Sequence, residues 1–239
     1  MDRFANQIEI FADGADIETI KNYSKIPWIT GFTTNPTLMY KSGVKKYSKF
    51  AQDVLEIIGS KSISFEVFAD SDDEMIEQAK IISNWGQNIY VKIPIMNSLG
   101  KPCTDAIIKM NNYGIKLNVT AVMSVSQVKS LIPNLDPRTP IYLSIFAGRI
   151  ADTGVDPEEI VSQVVKLASK NSSIKIIWAS PRELLNIFHA IRSGAQIITI
   201  TKDILNKVNL IGKNLDEYSK ETVNMFLSDA KSSGLSLAD

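Results

Sequence analysis

One pattern repeats along this chain of 239 residues and constrains its fold more than any other feature: a short apolar run, then a helical pattern. Several runs are almost continuously hydrophobic, which is typical of parallel strands covered on both faces. The eight runs are Gln7–Phe11, Trp28–Phe32, Ser62–Phe68, Ile89–Ile93, Ile115–Ala121, Ile141–Phe146, Ile174–Trp178 and Gln196–Ile200. Eight such alternations predict a (β/α)8 (TIM) barrel, whose active site lies at the C-terminal ends of the strands.

Helical patterns separate the runs, and a further helix is predicted to close the chain. The predicted helices are Asp16–Tyr23, Pro36–Ile58 with a possible break at Gly43, Asp72–Trp85, Thr104–Tyr113, Ser124–Leu131, Pro157–Lys170, Pro181–Arg192, Asp203–Leu210 and the additional Asp216–Ala230. Pro157 and Pro181 are each expected in a first helical turn, where proline is tolerated. We predict one domain over 1–239, ending in a short flexible tail. The alternative is an open doubly wound sheet, which normally carries a glycine-rich turn after its first strand.

Composition excludes several classes of function. Lys plus Arg and Asp plus Glu number 26 each, so no basic excess predicts nucleic acid or a membrane as partner. A single cysteine, Cys103, rules out an internal disulfide, and with one histidine, His189, it argues against a Cys/His zinc site. We therefore expect no metal and no cofactor. The first residues lack a signal-peptide apolar core, so we expect a cytoplasmic protein.

Lys92 is the most informative single residue. It lies inside the apolar run Ile89-Tyr-Val-Lys-Ile-Pro94. Apolar surroundings disfavour the charged form of an amine, and a neutral amine is the form that attacks a carbonyl to give a Schiff base. The alternatives are a lysine that extends from a strand end into solvent and one that pairs with a buried carboxylate.

Polar residues recur near the ends of most predicted strands. Residues two apart share one face of a strand, so each strand presents a polar position at a similar depth. These positions are Asp13, Thr33 with Asn35, Glu66 with Phe68, Asn118 with Thr120, Ser144 with Phe146, and Trp178 with Ser180. Together they predict a substrate pocket, although each alone could be a turn or capping residue. Lys116 and Glu9 lie at strand starts and are interpreted as structural or exposed.

Five segments, in order, resemble those of the transaldolase family. They are Gly31-Phe-Thr-Thr-Asn-Pro-Thr37, Val91-Lys-Ile-Pro94, Leu117-Asn-Val-Thr-Ala-Val-Met-Ser-Val-Ser-Gln127, Ser144-Ile-Phe-Ala-Gly-Arg-Ile150 followed by Asp152, and Trp178-Ala-Ser-Pro-Arg182. The match extends from about Glu9 to Thr201, which is nearly the whole chain. One such segment would be weak evidence, but five in order are specific.

The resemblance implies a role for each matched residue. Lys92 would be the Schiff-base nucleophile, and Asp13 the acid/base of carbon–carbon cleavage. Glu66 and Thr120 would hold a water that moves protons during imine formation. Hydrogen bonds to the sugar and the intermediate would come from Asn35 and Asn118, helped by Thr33 and Ser144, and phosphate would be bound by Arg149, Ser180 and Arg182.

The resemblance also implies the reaction. A transaldolase moves a dihydroxyacetone unit from fructose 6-phosphate or sedoheptulose 7-phosphate to an aldose phosphate, in the pentose phosphate pathway. Family members that are aldolases typically have Gln at the position of Glu66 and Tyr at that of Phe146, so both positions favour transfer. Ile145 and Pro181 depart from the family pattern and leave the acceptor open. The alternatives are a fructose-6-phosphate or dihydroxyacetone aldolase and a barrel that binds sugar phosphate without turnover.

The C-terminal helix carries an apolar stripe at Val223, Phe226 and Leu227. The stripe could pack on its own barrel or on a neighbouring subunit. Small transaldolases form rings of subunits, so the resemblance implies a homo-oligomer that assembles through this helix.

Overall fold

Eight parallel strands form a closed barrel in chain order, because β8 pairs with β1. The computed structural model describes residues 6–234 of the chain. The strands are β1 (Glu9–Asp13), β2 (Ile29–Thr33), β3 (Ser62–Glu66), β4 (Ile89–Pro94), β5 (Leu117–Val122), β6 (Ile141–Ile145), β7 (Ile174–Trp178) and β8 (Ile197–Thr201). The prediction of a (β/α)8 barrel is confirmed, and the open-sheet alternative is wrong.

The strand register places key residues side by side. Glu66 pairs with Lys92 across β3 and β4, and Lys92 pairs with Asn118 across β4 and β5. Asp13 pairs with Thr33 across β1 and β2. Because paired positions in a parallel sheet share a face, this register points these side chains into the barrel.

Helices alternate with the strands. They are α1 (Ile17–Ser24), α2 (Pro36–Lys41), α3 (Tyr47–Ile58), α4 (Asp72–Ser83), α5 (Thr104–Asn112), α6 (Val125–Lys129), α7 (Ala147–Ala151), α8 (Pro157–Ala168), α9 (Asn186–Arg192), α10 (Lys202–Leu205) and α11 (Leu215–Ser233), with 3-10 turns at Ile132–Asn134 and Val208–Leu210. The expected break at Gly43 is present, where φ is 71°. Helix α7 is absent from the sequence-based prediction.

The two prolines expected in first helical turns behave differently. Pro157 opens α8, and Asp156 caps that helix by accepting from the N–H of Glu158. Pro181 lies in the loop after β7, and α9 begins only at Asn186. The prediction of a helix over 181–185 is therefore wrong, since the Asn186 side chain binds the N–H groups that would have joined that turn.

An apolar cluster fills the barrel below the strand ends. It consists of Phe11, Tyr142, Ile177, Ala179 and Ile197, with Tyr90 and Phe146 packed against it. Tyr90 stacks on Tyr142 with ring centroids 3.8 Å apart. The interior is therefore a packed core rather than a pore.

Polar residues at the strand starts pair with one another or with backbone. Glu9 accepts from Lys175 Nζ at 2.6 Å, and Lys116 Nζ donates to the carbonyl of Gln87 at 2.8 Å. Both contacts fit a structural role at the N-terminal end of the barrel.

The described residues group into two compact units, one ending at Leu205 and the other beginning at Asn206. In the second unit, α11 is 19 residues long, and none of its residues is buried. The predicted single domain over 1–239 stays a prediction. The predicted tail is helical up to Ser233, and its part from 235 on lies outside the described residues.

Two kinds of feature are absent from residues 6–234. No helix there is both long and apolar enough to cross a membrane. Nor does that part of the chain bring three or more His, Cys, Asp or Glu side chains into an arrangement that could hold a metal ion.

Candidate active site

A cavity of about 410 Å³ opens at the C-terminal ends of the strands. Eleven of the twelve predicted site residues line it: Asp13, Thr33, Asn35, Glu66, Lys92, Thr120, Ser144, Phe146, Arg149, Ser180 and Arg182. These eleven residues lie in strands β1 to β6 or in the segments that follow β2, β6 and β7. The fold therefore brings together residues that are distant in sequence. The twelfth, Asn118, lies below the cavity wall.

Lys92 projects from β4 and is only 6% exposed. Its Nζ donates to the carbonyl oxygen of Thr34 at 2.9 Å and lies 3.2 Å from Oε2 of Glu66. The amine is therefore buried, held by two oxygens and paired with a carboxylate. That carboxylate itself lines the cavity, so the pairing places an acid/base group beside the amine.

Glu66 ends β3, and Tyr47 fixes the backbone at that point. The Tyr47 hydroxyl donates to the carbonyl oxygen of Glu66 at 3.0 Å, and burial raises the pKa of this phenol. Phe68 was predicted to share the cavity face of Glu66, but it stacks on Tyr47 with centroids 4.7 Å apart and does not line the cavity. The reason is that β3 stops at Glu66, so its alternation does not extend to residue 68.

Asp13 has an unusual electrostatic environment. Burial raises the pKa of its carboxyl group above the ordinary 3.8, while the charge of Lys92 and a hydrogen bond from Thr33 oppose the rise. Thr33 Oγ1 donates to Asp13 Oδ1 at 2.7 Å and also contacts the hydroxyl of Thr199. A carboxyl group whose pKa is raised holds a proton more readily, which suits a group that both accepts and returns one.

Thr120 lies where β5 becomes irregular. Its pairing with β6 shifts between Val119 and Val122, and Ala121 adopts a left-handed φ of 58°. Thr120 Oγ1 is buried and has no hydrogen-bond partner within the described part of the chain. Because Thr120 lines the cavity, its hydroxyl can bond to a water molecule or a ligand there.

Asn118 is fully buried in a hydrogen-bonded row. Its Nδ2 donates to Ser64 Oγ at 2.9 Å, and its Oδ1 accepts from Ser144 Oγ at 2.7 Å. It therefore supports Ser144, which lines the cavity. Asn35 does line the cavity, and its Oδ1 caps α2 by accepting from the N–H of Leu38 at 2.9 Å.

Arg149 and Arg182 lie at one end of the cavity, on α7 and on the loop after β7. Arg182 forms an ion pair with Asp152, with Nε 3.1 Å from Oδ1. The guanidinium of Arg149 lies 5.9 Å from the ring centroid of Phe146. A Cβ atom at Gly148 would lie 1.6 Å from the carbonyl oxygen of Ser180, so α7 and the loop touch at a position that only glycine permits.

The predicted shared face of Trp178 and Ser180 is not observed. Trp178 is buried outside the cavity, with its ring 6.1 Å from that of His189. Ser180 has a left-handed φ of 58°, which breaks strand alternation and turns residues 180–182 toward the cavity.

Comparison with known proteins agrees with this geometry. The model of the family described as "Transaldolase/Fructose-6-phosphate aldolase" matches residues 10–237. The chain belongs to this family.

Several relatives of this transaldolase/aldolase family member are named probable transaldolases. A "Probable transaldolase" from Dehalococcoides mccartyi is 32% identical and aligns with 83% of this chain and 88% of its own length. Another from Clostridioides difficile is 33% identical over 90% of this chain and 96% of its own. A third, from Thermoplasma volcanium, is 34% identical, with 83% and 86% covered.

Solved structures share the fold of this family member at low sequence identity. One is a putative dihydrodipicolinate synthase family protein from Coccidioides immitis, with a TM-score of 0.60 and 10% identity over 98% of this chain and 80% of that one. A putative phosphonomutase from Burkholderia cenocepacia has a TM-score of 0.54 and 8% identity, covering 93% and 94%. At these identities the likeness concerns the barrel alone.

The prediction from the sequence did not include the hydroxyl residues that β8 of this transaldolase/aldolase family member contributes to the cavity. Thr199 and Thr201 line the cavity from β8. Their alternate spacing in Ile197-Ile-Thr-Ile-Thr201 carries the same signal that identified the other strands.

Proposed function

We propose that this protein is a transaldolase that transfers a dihydroxyacetone unit from fructose 6-phosphate or sedoheptulose 7-phosphate to an aldose phosphate. Such substrates would place it in the pentose phosphate pathway. The observation that carries the proposal is the buried amine of Lys92, 3.2 Å from the carboxylate of Glu66, in a cavity that also contains Asp13. The family supports transaldolase-type chemistry, and Glu66 and Asp13 would supply the proton transfers.

The first step is the formation of an imine. Glu66 takes a proton from the ammonium of Lys92, and the neutral amine attacks C2 of the ketose. The resulting hydroxyl must leave as water, which requires a proton. Glu66 and Thr120 both line the cavity and would hold the water that delivers it.

The second step breaks the bond between C3 and C4. Asp13 accepts the proton of the C4 hydroxyl as that carbon becomes an aldehyde, and the protonated imine receives the electron pair as an enamine. The acceptor aldehyde then enters and the steps reverse, with Asp13 returning its proton. The raised pKa of Asp13 suits a group that must act in both directions.

Transfer is favoured over simple cleavage by Phe146. It lines the cavity with a ring that has no hydroxyl group, so it cannot donate a proton to the enamine or orient water toward it. The enamine then persists until an aldehyde arrives. Arg149, Ser180 and Arg182 would bind the phosphate groups of donor and acceptor, since guanidinium matches phosphate with two parallel bonds.

Reductive trapping tests the nucleophile. Borohydride added with fructose 6-phosphate should attach the three-carbon fragment to Lys92, located by peptide mass spectrometry. Lys92→Met should abolish the adduct and lower kcat by about 10⁴-fold or more. Lys116→Met is the matched control, because Lys116 lies at the start of the neighbouring strand and outside the cavity. An active Lys92→Met protein would contradict the proposal.

A coupled assay separates transfer from cleavage. Glyceraldehyde 3-phosphate should be released from fructose 6-phosphate much faster when erythrose 4-phosphate is present. Equal release with and without the acceptor would identify an aldolase instead.

We also propose that α11 mediates homo-oligomer formation. Val223, Phe226 and Leu227 are each more than half exposed, which is unusual for apolar residues of a helix. Light scattering should give a mass above that of one chain, and Phe226→Asp should lower it. Equal masses would contradict this role.

A further inference from the structure

The loop between β7 and α9 is held by the side chain of Asn186, a buried residue at the start of α9. Its Oδ1 accepts from the backbone N–H of Arg182 at 2.7 Å and from that of Glu183 at 3.2 Å. Its Nδ2 lies 3.2 Å from Nδ1 of His189, one helical turn further on. Asn186 therefore fixes the backbone of Arg182, the residue whose guanidinium lines the cavity.

The protonation state of His189 follows from these contacts. Backbone N–H groups only donate, so Asn186 must turn its oxygen toward them. Its amide nitrogen then faces His189, and only an imidazole with a lone pair on Nδ1 can accept from it. A protonated imidazole carries N–H at both ring nitrogens and would oppose this arrangement.

Two charged side chains face the imidazole from the packed helices. Glu158 of α8 places Oε1 3.8 Å from Nε2 of His189. Arg192 of α9 binds the same carboxylate through Nη2 at 2.6 Å and Nε at 3.1 Å. On the loop, Arg182 and Glu183 are the charged residues whose backbone Asn186 holds. The carboxylate of Glu158 is thus already paired with the guanidinium of Arg192. It does not require a charged imidazole as a partner, so a neutral His189 is compatible with the site.

We propose that Asn186 is a positioning residue for the phosphate end of the cavity and that neutral His189 holds it in the orientation that fixes Arg182. The inference rests on the proposed function, in which Arg182 binds phosphate. When His189 becomes protonated, the Nδ2 group of Asn186 loses its hydrogen-bond acceptor. If the Asn186 amide then rotates to find another acceptor, its Oδ1 no longer binds the N–H groups of Arg182 and Glu183. Binding of a dianion should therefore weaken when the imidazole gains a proton. This effect is tested by comparing pH 8 with pH 5.5.

Inorganic sulfate is the probe for this test, since its charge does not change over that range. At pH 7.5 the Asn186→Ala protein should bind sulfate about tenfold more weakly than wild type by calorimetry, which corresponds to the loss of one buried hydrogen-bonding group. Asn134→Ala is the matched control, because Asn134 is an exposed asparagine that donates to the carbonyl of Ser130. Unchanged sulfate binding in Asn186→Ala would overturn the proposal.

The pH dependence separates positioning from a merely structural role. His189 is the sole histidine of the chain, so His189→Gln removes the histidine titration while offering an amide oxygen to Asn186. Wild type should lose sulfate affinity several-fold between pH 8 and pH 5.5, and His189→Gln should not. An identical pH profile in both proteins would overturn the proposal, even if Asn186→Ala does not fold.

Turnover gives an independent measurement. For Asn186→Ala, KM for erythrose 4-phosphate should rise about tenfold relative to KM for erythrose. Failure of the proposed function has a different signature: no trapped lysine adduct, whatever the sulfate affinity. A wild type that traps the adduct but binds no sulfate would overturn this inference alone.

Discussion

The two ends of the cavity are built in different ways. At the proposed imine end, Asp13, Glu66 and Lys92 project from the parallel strands β1, β3 and β4, and the latter two residues are paired in register. At the opposite end, where phosphate is proposed to bind (the phosphate end), Arg149 comes from a helix of five residues and Arg182 from a loop. The Arg182 side chain is 51% exposed, whereas that of Lys92 is 7% exposed.

This difference shows what positions each kind of group. Strand pairing and burial position the imine end, so its side chains have little freedom even without substrate. Two local contacts position the phosphate end. The Asn186 side chain binds the backbone of the loop after β7, and the absence of a side chain at Gly148 allows the carbonyl group of Ser180 to pack against α7. Changes at the first end should therefore affect chemistry, and changes at the second should affect affinity.

Asp13→Asn should have the largest effect and should fall on kcat. Loss of the acid/base group should lower kcat by about 10²–10⁴-fold, while imine formation at Lys92 continues and remains trappable by borohydride. Steady-state kinetics and adduct mass together make the measurement. Loss of the adduct as well would place Asp13 in imine formation.

The same variant tests the raised pKa of Asp13 through stability. Folding raises this carboxyl's pKa, so the ionised form opposes folding at neutral pH, and that cost disappears as the pH falls below about 3.8. Asp13→Asn should therefore melt above wild type at pH 7, by about 2–4 °C for each kcal/mol regained. The difference in Tm between the two proteins should shrink as the pH falls. A difference that grows would mean that folding lowers the pKa of Asp13 instead of raising it.

Gly148→Ala tests the contact that places the phosphate end. A Cβ atom 1.6 Å from the Ser180 carbonyl oxygen must displace α7 or the loop, at a cost of about 1–3 kcal/mol or more. Differential scanning calorimetry should show a lower Tm, and KM for phosphorylated acceptors should rise more than kcat falls. Gly14→Ala is a control for stability, since its Cβ would meet no atom within 4 Å.

Arg182→Lys should have a smaller effect that is confined to affinity. Lysine retains the charge but loses the planar pair of donors, so KM for erythrose 4-phosphate should rise about 5- to 10-fold. KM for erythrose is the internal reference. If both rise equally, Arg182 does not recognise phosphate.

Thr33→Val should produce the smallest change, in the pH profile. The Thr33 hydroxyl donates to Asp13 and lowers its pKa, so removing it should raise the acid limb of kcat/KM by less than about one pH unit. Thr199→Val, which leaves the Thr33–Asp13 bond in place, should move that limb less. A downward shift in Thr33→Val would contradict the assignment of the acid limb to Asp13.

The sequence allowed the barrel and the imine end to be predicted because both follow from alternation. Lys92 and Glu66 have the strand parity that points inward, and eight apolar runs are enough to close a barrel. Alternation does not report depth, however. Asn118 has the correct parity but lies below the cavity, where Ser64 and Ser144 occupy its amide.

The backbone of the phosphate end was not predicted correctly from the sequence, and the reasons are local. Strand alternation predicted that Ser180 and Trp178 share a face, but the left-handed φ at Ser180 interrupts this alternation. Pro181 suggested a helix start, but Asn186 captures the N–H groups of the preceding turn and delays α9. Helix α7, with five residues, is too short to show helical periodicity.

The packed aromatic floor of the barrel has a kinetic consequence. Phe11 and Tyr142 close the interior below the strand ends, and Phe146 and Ala179 belong to both the floor and the cavity wall. Within residues 6–234 the cavity therefore opens at the strand ends. In the proposed transfer, the first aldehyde would leave through this opening before the second enters, so initial-rate plots against either substrate should be parallel lines, the pattern of a ping-pong reaction.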